Sequence, residues 1–322
     1  MNTSELRDGL EARQVWIYFA AVIVATAIGF LIPRTEVLES AINPALALML
    51  FVTFLQVPVA ALGRALQELR FLGALLAVNF IAVPLFVLGL MQFLPADPLI
   101  RLGVLMVLLC PCIDYVVTFA HLGRADARLL LASTPVLLIA QMALLPIYLR
   151  LFLGAEAAAY VQPGPFIHAF VWLIAIPFVL AALVQTWAAR SKTGERVSSG
   201  LGLAPVPATA LVLFIVVAAV MPQLGQTLDR TLSVVPVYVA FSVLAPLIGW
   251  AVSRLARLTP EAGRAVAFSA GTRNSLVVLP LALVVPGAIP LVPAIIVTQT
   301  LIELLAELVY IRGIPGLGRR PA

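Results

Sequence analysis

The chain has 322 residues, of which 62% are hydrophobic and only 11% charged, and its mean hydropathy is +1.10. A water-soluble domain keeps much of its surface polar, so this composition excludes one and calls for lipid as the solvent. The basic balance, 20 Lys and Arg against 15 Asp and Glu, does not indicate nucleic acid, because the cations are spaced between long apolar runs.

Residues 1–13 are polar and mixed in charge and read as a cytoplasmic N-terminal segment. The first apolar run, 14–33, has the length of a full span rather than of a short signal core, so no cleavable signal peptide is expected. Nine further spans are predicted at 42–62, 71–94, 101–121, 127–151, 166–188, 201–221, 232–253, 261–286 and 290–312, with a tail at 314–322. Runs such as Phe71–Ala96 are too long and too uniformly apolar for barrel strands, which alternate over about ten residues. The predicted fold is therefore all-α and integral to the membrane, with ten transmembrane helices.

The positive charges fall in alternate connections. Arg7 and Arg13, Arg64 and Arg70, Arg124 and Arg128, Arg190, Lys192 and Arg196, Arg254, Arg257 and Arg264, and finally Arg312, Arg319 and Arg320 share one side of the plan. The other side holds Arg34, Arg101, Arg150 and Arg230. The positive-inside rule then puts both termini in the cytoplasm, which needs an even number of spans, and the expected location is the cell's inner membrane.

The fourth and ninth spans are interrupted. One meets Cys110-Pro111-Cys112-Ile113-Asp114 and the other Gly271-Thr272-Arg273-Asn274-Ser275. Each break pairs a helix-disrupting residue, Pro111 or Gly271, with an ionisable one, Asp114 or Arg273. The second span starts near 42 and the seventh near 201, an offset of 159, and the two breaks lie a similar distance apart. The chain thus reads as two five-helix repeats, 14–153 and 154–313, the second inverted because five is odd. Interrupted spans at matching places in inverted halves point to a transport site at mid-membrane, where freed backbone groups bind solutes and ions. The plainer alternative is a pair of kinks that only shape packing.

Ionisable groups within spans are costly and mark function by default. Asp114, Arg273, Glu303 and Glu307 are such groups. Asp114 and Arg273 read as an ion pair, either structural or opened by a proton or substrate. Glu303 lies deep in the tenth span and reads as a proton or substrate group, whereas Glu307, nearer Arg312, reads as a snorkelling residue. Cys112 at the break is either an inert packing thiol or a soft ligand activated by the half-helix end. Asn79, Asn274, Ser269, Ser275, Gln141 and Gln299 are polar groups that would otherwise bond between helices. Cys110 and Cys112 are too few and too close for a disulfide framework. No phosphate loop, metal-spaced histidine pair (His121 and His168 are far apart) or soluble domain is present in the sequence, so no enzyme, cofactor or firm metal site is expected and transport would be secondary.

Several motifs carry a family resemblance. They are Asn79-Phe80 with Pro84, Phe93-Leu94-Pro95-Ala96-Asp97, Arg101-Leu102-Gly103-Val104, and Cys110-Pro111-Cys112-Ile113 followed by Val116, Leu122 and Asp126. In the second half they are Ser269-Ala270-Gly271-Thr272-Arg273-Asn274 and Leu301-Ile302-Glu303. With these the chain resembles the arsenite-efflux permease family of the bile acid:sodium symporter superfamily. The resemblance implies the ten-helix plan with two inverted repeats and broken fourth and ninth helices. It also implies proton-driven antiport of trivalent arsenic oxyacid, with Cys112 as a possible arsenic ligand and Glu303 as its functional partner. The chain departs from that pattern at Pro111, where an Arg is expected, and at Asp114, where a small apolar residue is expected. Arg273 stands where the arsenite branch has an amide and sodium-coupled relatives a Gln, and Ser269 stands at their sodium-ligating Glu. A guanidinium repels a sodium ion strongly in a low dielectric, so protons are the expected coupling ion. The leading expectation is a secondary transporter exporting arsenite or a related small oxyanion or oxyacid. An ion-coupled organic-anion symporter, with Arg273 holding a carboxylate, is the alternative, and a receptor or scaffold without flux is a third. The expected partners are the bilayer, a small solute and protons.

Overall fold

The computed structural model describes residues 3–32, 34–56, 68–113, 115–154, 163–224 and 227–318. Asp114, Arg64, Arg319 and Arg320, all invoked above, lie outside the described residues. In a bilayer every backbone amide must find a partner within the protein, and the apolar runs meet that demand as helices. In chain order these are α1 (Thr3–Leu31), α2 (Glu39–Phe54), α3 (Leu69–Phe93), α4 (Pro98–Leu108), α5 (Tyr115–Leu122) and α6 (Ala127–Leu153). They continue as α7 (163–188), α8 (Lys192–Leu201), α9 (Pro205–Leu224), α10 (Val235–Leu255), α11 (Pro260–Gly271), α12 (Ser275–Leu283) and α13 (Leu291–Gly313).

Among the described residues seven helices are long and apolar enough to cross a membrane, and α2 and α4 are shorter apolar helices. With exposed apolar side chains such as Phe30 and Trp16 along these helices, this is a multi-pass integral membrane protein. Two boundaries differ from the sequence reading. Helix α1 starts at Thr3 rather than at 14, its exposed first turns carrying an Arg7–Glu11 pair at 2.7 Å that suits an i,i+4 helical face. Helix α8 fills a stretch read as a polar connection, capped by the Ser191 hydroxyl, which accepts from Gly194 N at 3.5 Å.

The chain divides into two units, each drawing on both halves of the sequence. The first comprises Met1–Gln56, Val161–Asp229 and Leu279–Val297. In it α9 packs against α1 and α2, and α7 against α2 and α8. Gly29 permits the α1–α9 approach, since a Cβ there would lie 2.6 Å from Met221 Cβ. At the end of α2 the Gln185 side-chain amide donates to the Phe54 and Leu55 carbonyls, at 3.1 and 3.2 Å, satisfying acceptors that the helix itself cannot.

The second unit comprises Val57–Tyr160, Arg230–Val278 and Thr298–Ala322. Helix α10 lies close along α11, because Gly249 and Gly263 carry no side chain at the contact. Helix α6 packs on α4, α5 and α11. One end of this unit is tied by Arg230, which donates to Asp97, the residue that caps α4 through Leu99 N at 3.0 Å and Ile100 N at 3.3 Å. At the far end of α10, Arg264 donates to the Arg124 carbonyl at 3.0 Å and to the Leu317 carbonyl at 3.3 Å. Helix α3 contains a π turn, Val78–Ala82, in which Val83 N donates to Val78 O. Pro84 explains it: proline has no amide to give and its ring crowds the preceding turn, which widens to make room.

Candidate functional site

Helix α4 ends at Leu108 and α11 at Gly271, and in both cases the chain turns extended before a second helix begins. Pro111 forces the first ending, since it can neither donate to the preceding turn nor leave Cys110 comfortably helical. Gly271 has a different role from the helix-breaking one read from the sequence. A Cβ there would lie 2.8 Å from Pro246 Cγ and 2.9 Å from Tyr310 Cε2, so the glycine lets α10 and α13 close on the break.

The two extended breaks pair with each other. Cys112 N donates to Thr272 O at 3.0 Å and Asn274 N to Cys110 O at 2.8 Å, which places Pro111 opposite Arg273 in an antiparallel bridge. In this arrangement the opposed residues point their own amides away from the partner strand. The missing amide of Pro111 therefore costs the bridge nothing. The Arg273 amide, turned outward, donates to Glu303 Oε2 at 2.6 Å.

Glu303 on α13 is 1% exposed and accepts two more hydrogen bonds, from Tyr115 Oη at 2.5 Å and from Gln299 Nε2 at 2.6 Å. Gln299 in turn accepts from the Ser275 hydroxyl. Three donors suit the acceptor-only oxygens of a carboxylate. They gather the ends of both breaks and the last helix around one group.

The Arg273 side chain is 0% exposed. Its Nη2 donates to Asn79 Oδ1 at 2.9 Å, to Ser269 O at 2.5 Å and to Ala270 O at 2.8 Å, and its Nη1 to Leu108 O at 3.3 Å. The ring of Phe241 lies below, 5.5 Å from Cζ. Asn79 is aimed by its own amide, which donates to Leu75 O at 3.0 Å and to Ser269 Oγ at 2.9 Å. It sits in the π turn of α3, a kind of turn often found at functional positions. Burying a guanidinium costs several kcal/mol, and charge-assisted hydrogen bonds of about 1.5–3 kcal/mol each offset that cost.

The structure thus brings Asn79, Cys110, Pro111, Cys112, Ser269, Gly271, Thr272, Arg273, Asn274, Ser275 and Glu303 to one crossing. Both cysteine side chains are fully buried. Asp114, the proposed partner of Arg273, lies outside the described residues. Gln141 is buried on α6, and neither of its side-chain polar atoms has a partner among the described residues.

Glu307 was misjudged from sequence. It does not snorkel: it is 0% exposed, and its Oε1 lies 2.5 Å from the Thr272 hydroxyl. That hydroxyl also lies 2.7 Å from Phe268 O, although it has one proton to give. Tyr115 was missed altogether; the signal was its place as the first residue of the half-helix after the break. Among the described residues, Arg273 Nε, Asn274 Nδ2 and Glu307 Oε2 at the crossing find no hydrogen-bond partner. Among the described residues no group of three or more His, Cys, Asp or Glu is placed to hold a metal ion.

Compared with known families, residues 43–230 match the sodium bile acid symporter family. The matched stretch contains the α3 π turn and the first break. Among the curated proteins no match was found.

Proposed function

The chain belongs to the sodium bile acid symporter family and is a membrane transporter of that kind, and we propose that it is a proton-coupled secondary carrier exporting arsenite or a related small oxyacid. In this reading it spans the inner membrane ten times, in two inverted five-helix halves at 14–153 and 154–313, with both termini cytoplasmic. The supporting observation is that Glu303, the carboxylate expected to work with Cys112, is hydrogen-bonded to the second break while Cys112 is bridged to that same strand.

Each group then has a task. Cys112 is the soft ligand for a trivalent arsenic species. Glu303 couples the proton: protonation turns one of its oxygens from acceptor to donor, releases one of its three partners, and so loosens the crossing. Glu307, one turn further along α13, accepts or passes on the proton through Thr272. Asp114 is the other candidate to carry the coupling proton.

A specific observation favours the second reading, symport of an organic anion. Among the described residues Arg273 Nε and Asn274 Nδ2 are two buried donors without acceptors, and donors of this kind suit a carboxylate. The deciding measurement is flux in proteoliposomes of arsenite, antimonite and a panel of organic carboxylates, with and without a pH gradient, for wild type and Cys112→Ser. Arsenite flux that follows the gradient and is lost in C112S supports the first reading. Carboxylate flux that C112S leaves intact replaces it with the second.

A further inference from the structure

The second unit carries an apolar groove of about 700 Å³ between α10 and the later turns of α13. Val235, Val239 and Leu247 line one wall, and Ile302, Leu305 and Leu317 the other. Its two polar lining residues are joined to each other, since Tyr310 Oη donates to Ser242 O. The rim is open: Val243 is 58% exposed and Val309 65%. Such walls offer a polar solute no partner, whereas a hydrocarbon chain fits them. From Val235 to Leu247 helix α10 rises roughly 18 Å at about 1.5 Å per residue, close to the depth of about 15 Å of hydrocarbon in one leaflet.

The two ends of the groove differ in charge. At the Val235 end the cation Arg230 is matched by Asp97. At the other end Arg254 continues the stripe of α10 that carries Val243 and Leu247, and Arg312 continues the stripe of α13 that carries Leu305. The Arg254 guanidinium lies over the Trp250 ring, 5.7 Å from its centre, and that ring packs on Gly318, beside the groove-lining Leu317. Arg312 is exposed, with Nη1 donating to Leu308 O at 3.3 Å. Among the described residues neither Arg254 nor Arg312 has an ion-pair partner, and Glu261 at this end is taken up by Arg264 at 2.9 Å. An apolar trough with two free guanidinium groups at one mouth matches a molecule with an apolar chain and an anionic head.

We propose that this groove is a binding site for one acyl chain of an anionic phospholipid, whose headgroup phosphate is held by Arg254 and Arg312 beside Trp250 at the edge of the hydrocarbon. In the orientation proposed above, that headgroup belongs to the cytoplasmic leaflet. A zwitterionic lipid offers the same chain but brings a further cation to a mouth that already holds two, so the site prefers a net negative head. The inference stands apart from cargo and coupling, because no residue of the crossing takes part in it.

The test is native mass spectrometry of the purified, detergent-solubilised full chain, titrated with dioleoyl phosphatidylglycerol or with dioleoyl phosphatidylcholine. One phosphatidylglycerol is expected to bind at least about tenfold more tightly than phosphatidylcholine. The double variant Arg254→Gln/Arg312→Gln is expected to lose that preference and to keep the affinity for phosphatidylcholine. Val309→Trp, which sets a ring into the groove from its exposed rim, is expected to weaken both lipids at least about fivefold. If V309W is not recovered folded, Val243→Trp does the same from the opposite rim. Equal affinity of the wild type for the two lipids overturns the proposal, and so does a groove variant that binds phosphatidylglycerol as the wild type does. A double variant that keeps the preference puts the headgroup elsewhere and is equally fatal. Free oleate that displaces phosphatidylglycerol at equal concentration would make this a fatty-acid site and overturn the phospholipid assignment.

Discussion

Pro111 and Arg273 oppose each other across the bridge between the two broken helices, and each occupies the position its backbone requires. The proline sits where no amide is called for, and the arginine amide is turned outward to Glu303. The neighbouring position is not equivalent, because Cys112 N does donate into the bridge. Pro111→Ala is therefore expected to keep the fold with a change of less than about 1 kcal/mol, mostly through the unfolded chain. Cys112→Pro is expected to cost about 3 kcal/mol or more. Thermal unfolding of the two variants beside wild type checks the asymmetry.

Glu303 offers oxygens to three donors. Glu303→Gln presents an NH2 to at least one of them, at a cost of about 1–3 kcal/mol where that partner is an amide donor and less where it is the Tyr115 hydroxyl, which can also accept. Under the proposed function, proton-coupled flux in E303Q falls at least about tenfold, while counterflow of preloaded solute is reduced less. Equal retention of both activities in a folded E303Q protein would remove Glu303 from the coupling mechanism.

Helices α10 and α11 meet at Gly249, where a Cβ would lie 2.7 Å from Ala270 Cβ and 2.9 Å from both Ala267 Cα and Val266 O. Two of those three atoms are backbone and cannot rotate aside. Gly249→Val is expected to lose about 1–3 kcal/mol or to force the helices apart. Gly89, with open space around it, serves as the control: Gly89→Ala should leave the unfolding temperature unchanged or raise it slightly.

Partial burial pushes the Asp97 carboxyl up, but the hydrogen bond and charge of Arg230, with the amides of Ile100 and Leu99, more than offset it and hold it below the ordinary carboxylate range. A group depressed in the folded state contributes stability above its unfolded pKa, near 4, and loses it as pH falls through the lower folded value. The Asp97→Asn variant should thus unfold at lower temperature than wild type at neutral pH, and the gap should close only below about pH 4. The loss is expected to be about 1 kcal/mol or less, since Arg230 is 46% exposed and the pair is open to solvent screening. A gap independent of pH down to 3 would show that the charge on Asp97 contributes nothing.

The membrane character and both interruptions were legible in the sequence because each rests on a local property: apolar length in the one case, Pro111 and Arg273 inside spans in the other. Cys112, Asn79 and Glu303 were also legible as candidates, since polar groups in apolar runs stand out. What joins them was not. The bridge joins Cys110–Cys112 to Thr272–Asn274, about 160 residues away, and no periodicity within either segment encodes that pairing. Glu307 was misread because depth along a helix was inferred from distance to Arg312, whereas it is buried against Thr272 in the second break. Tyr115 escaped notice because an aromatic in a span is ordinarily packing, and only its reach to Glu303 sets it apart.

The π turn at Val78–Ala82 has a consequence for how α3 is phased. A π turn holds one residue more than the α turn it replaces, so the residues after it fall about 100° from where a regular helix would carry them. The face of α3 that meets its neighbours near Leu72 and Leu75 is thereby set independently of the face presented by Val83 and Val87, although all four are buried. Deleting a single residue from this turn would restore an unbroken α-helix with both ends still in phase, whereas forcing all five residues into a regular helix would turn one end by about 100° against the other. The widened turn works as a phase adjuster, and it is what allows Asn79 to reach across to Arg273 from a helix that remains packed along its whole length.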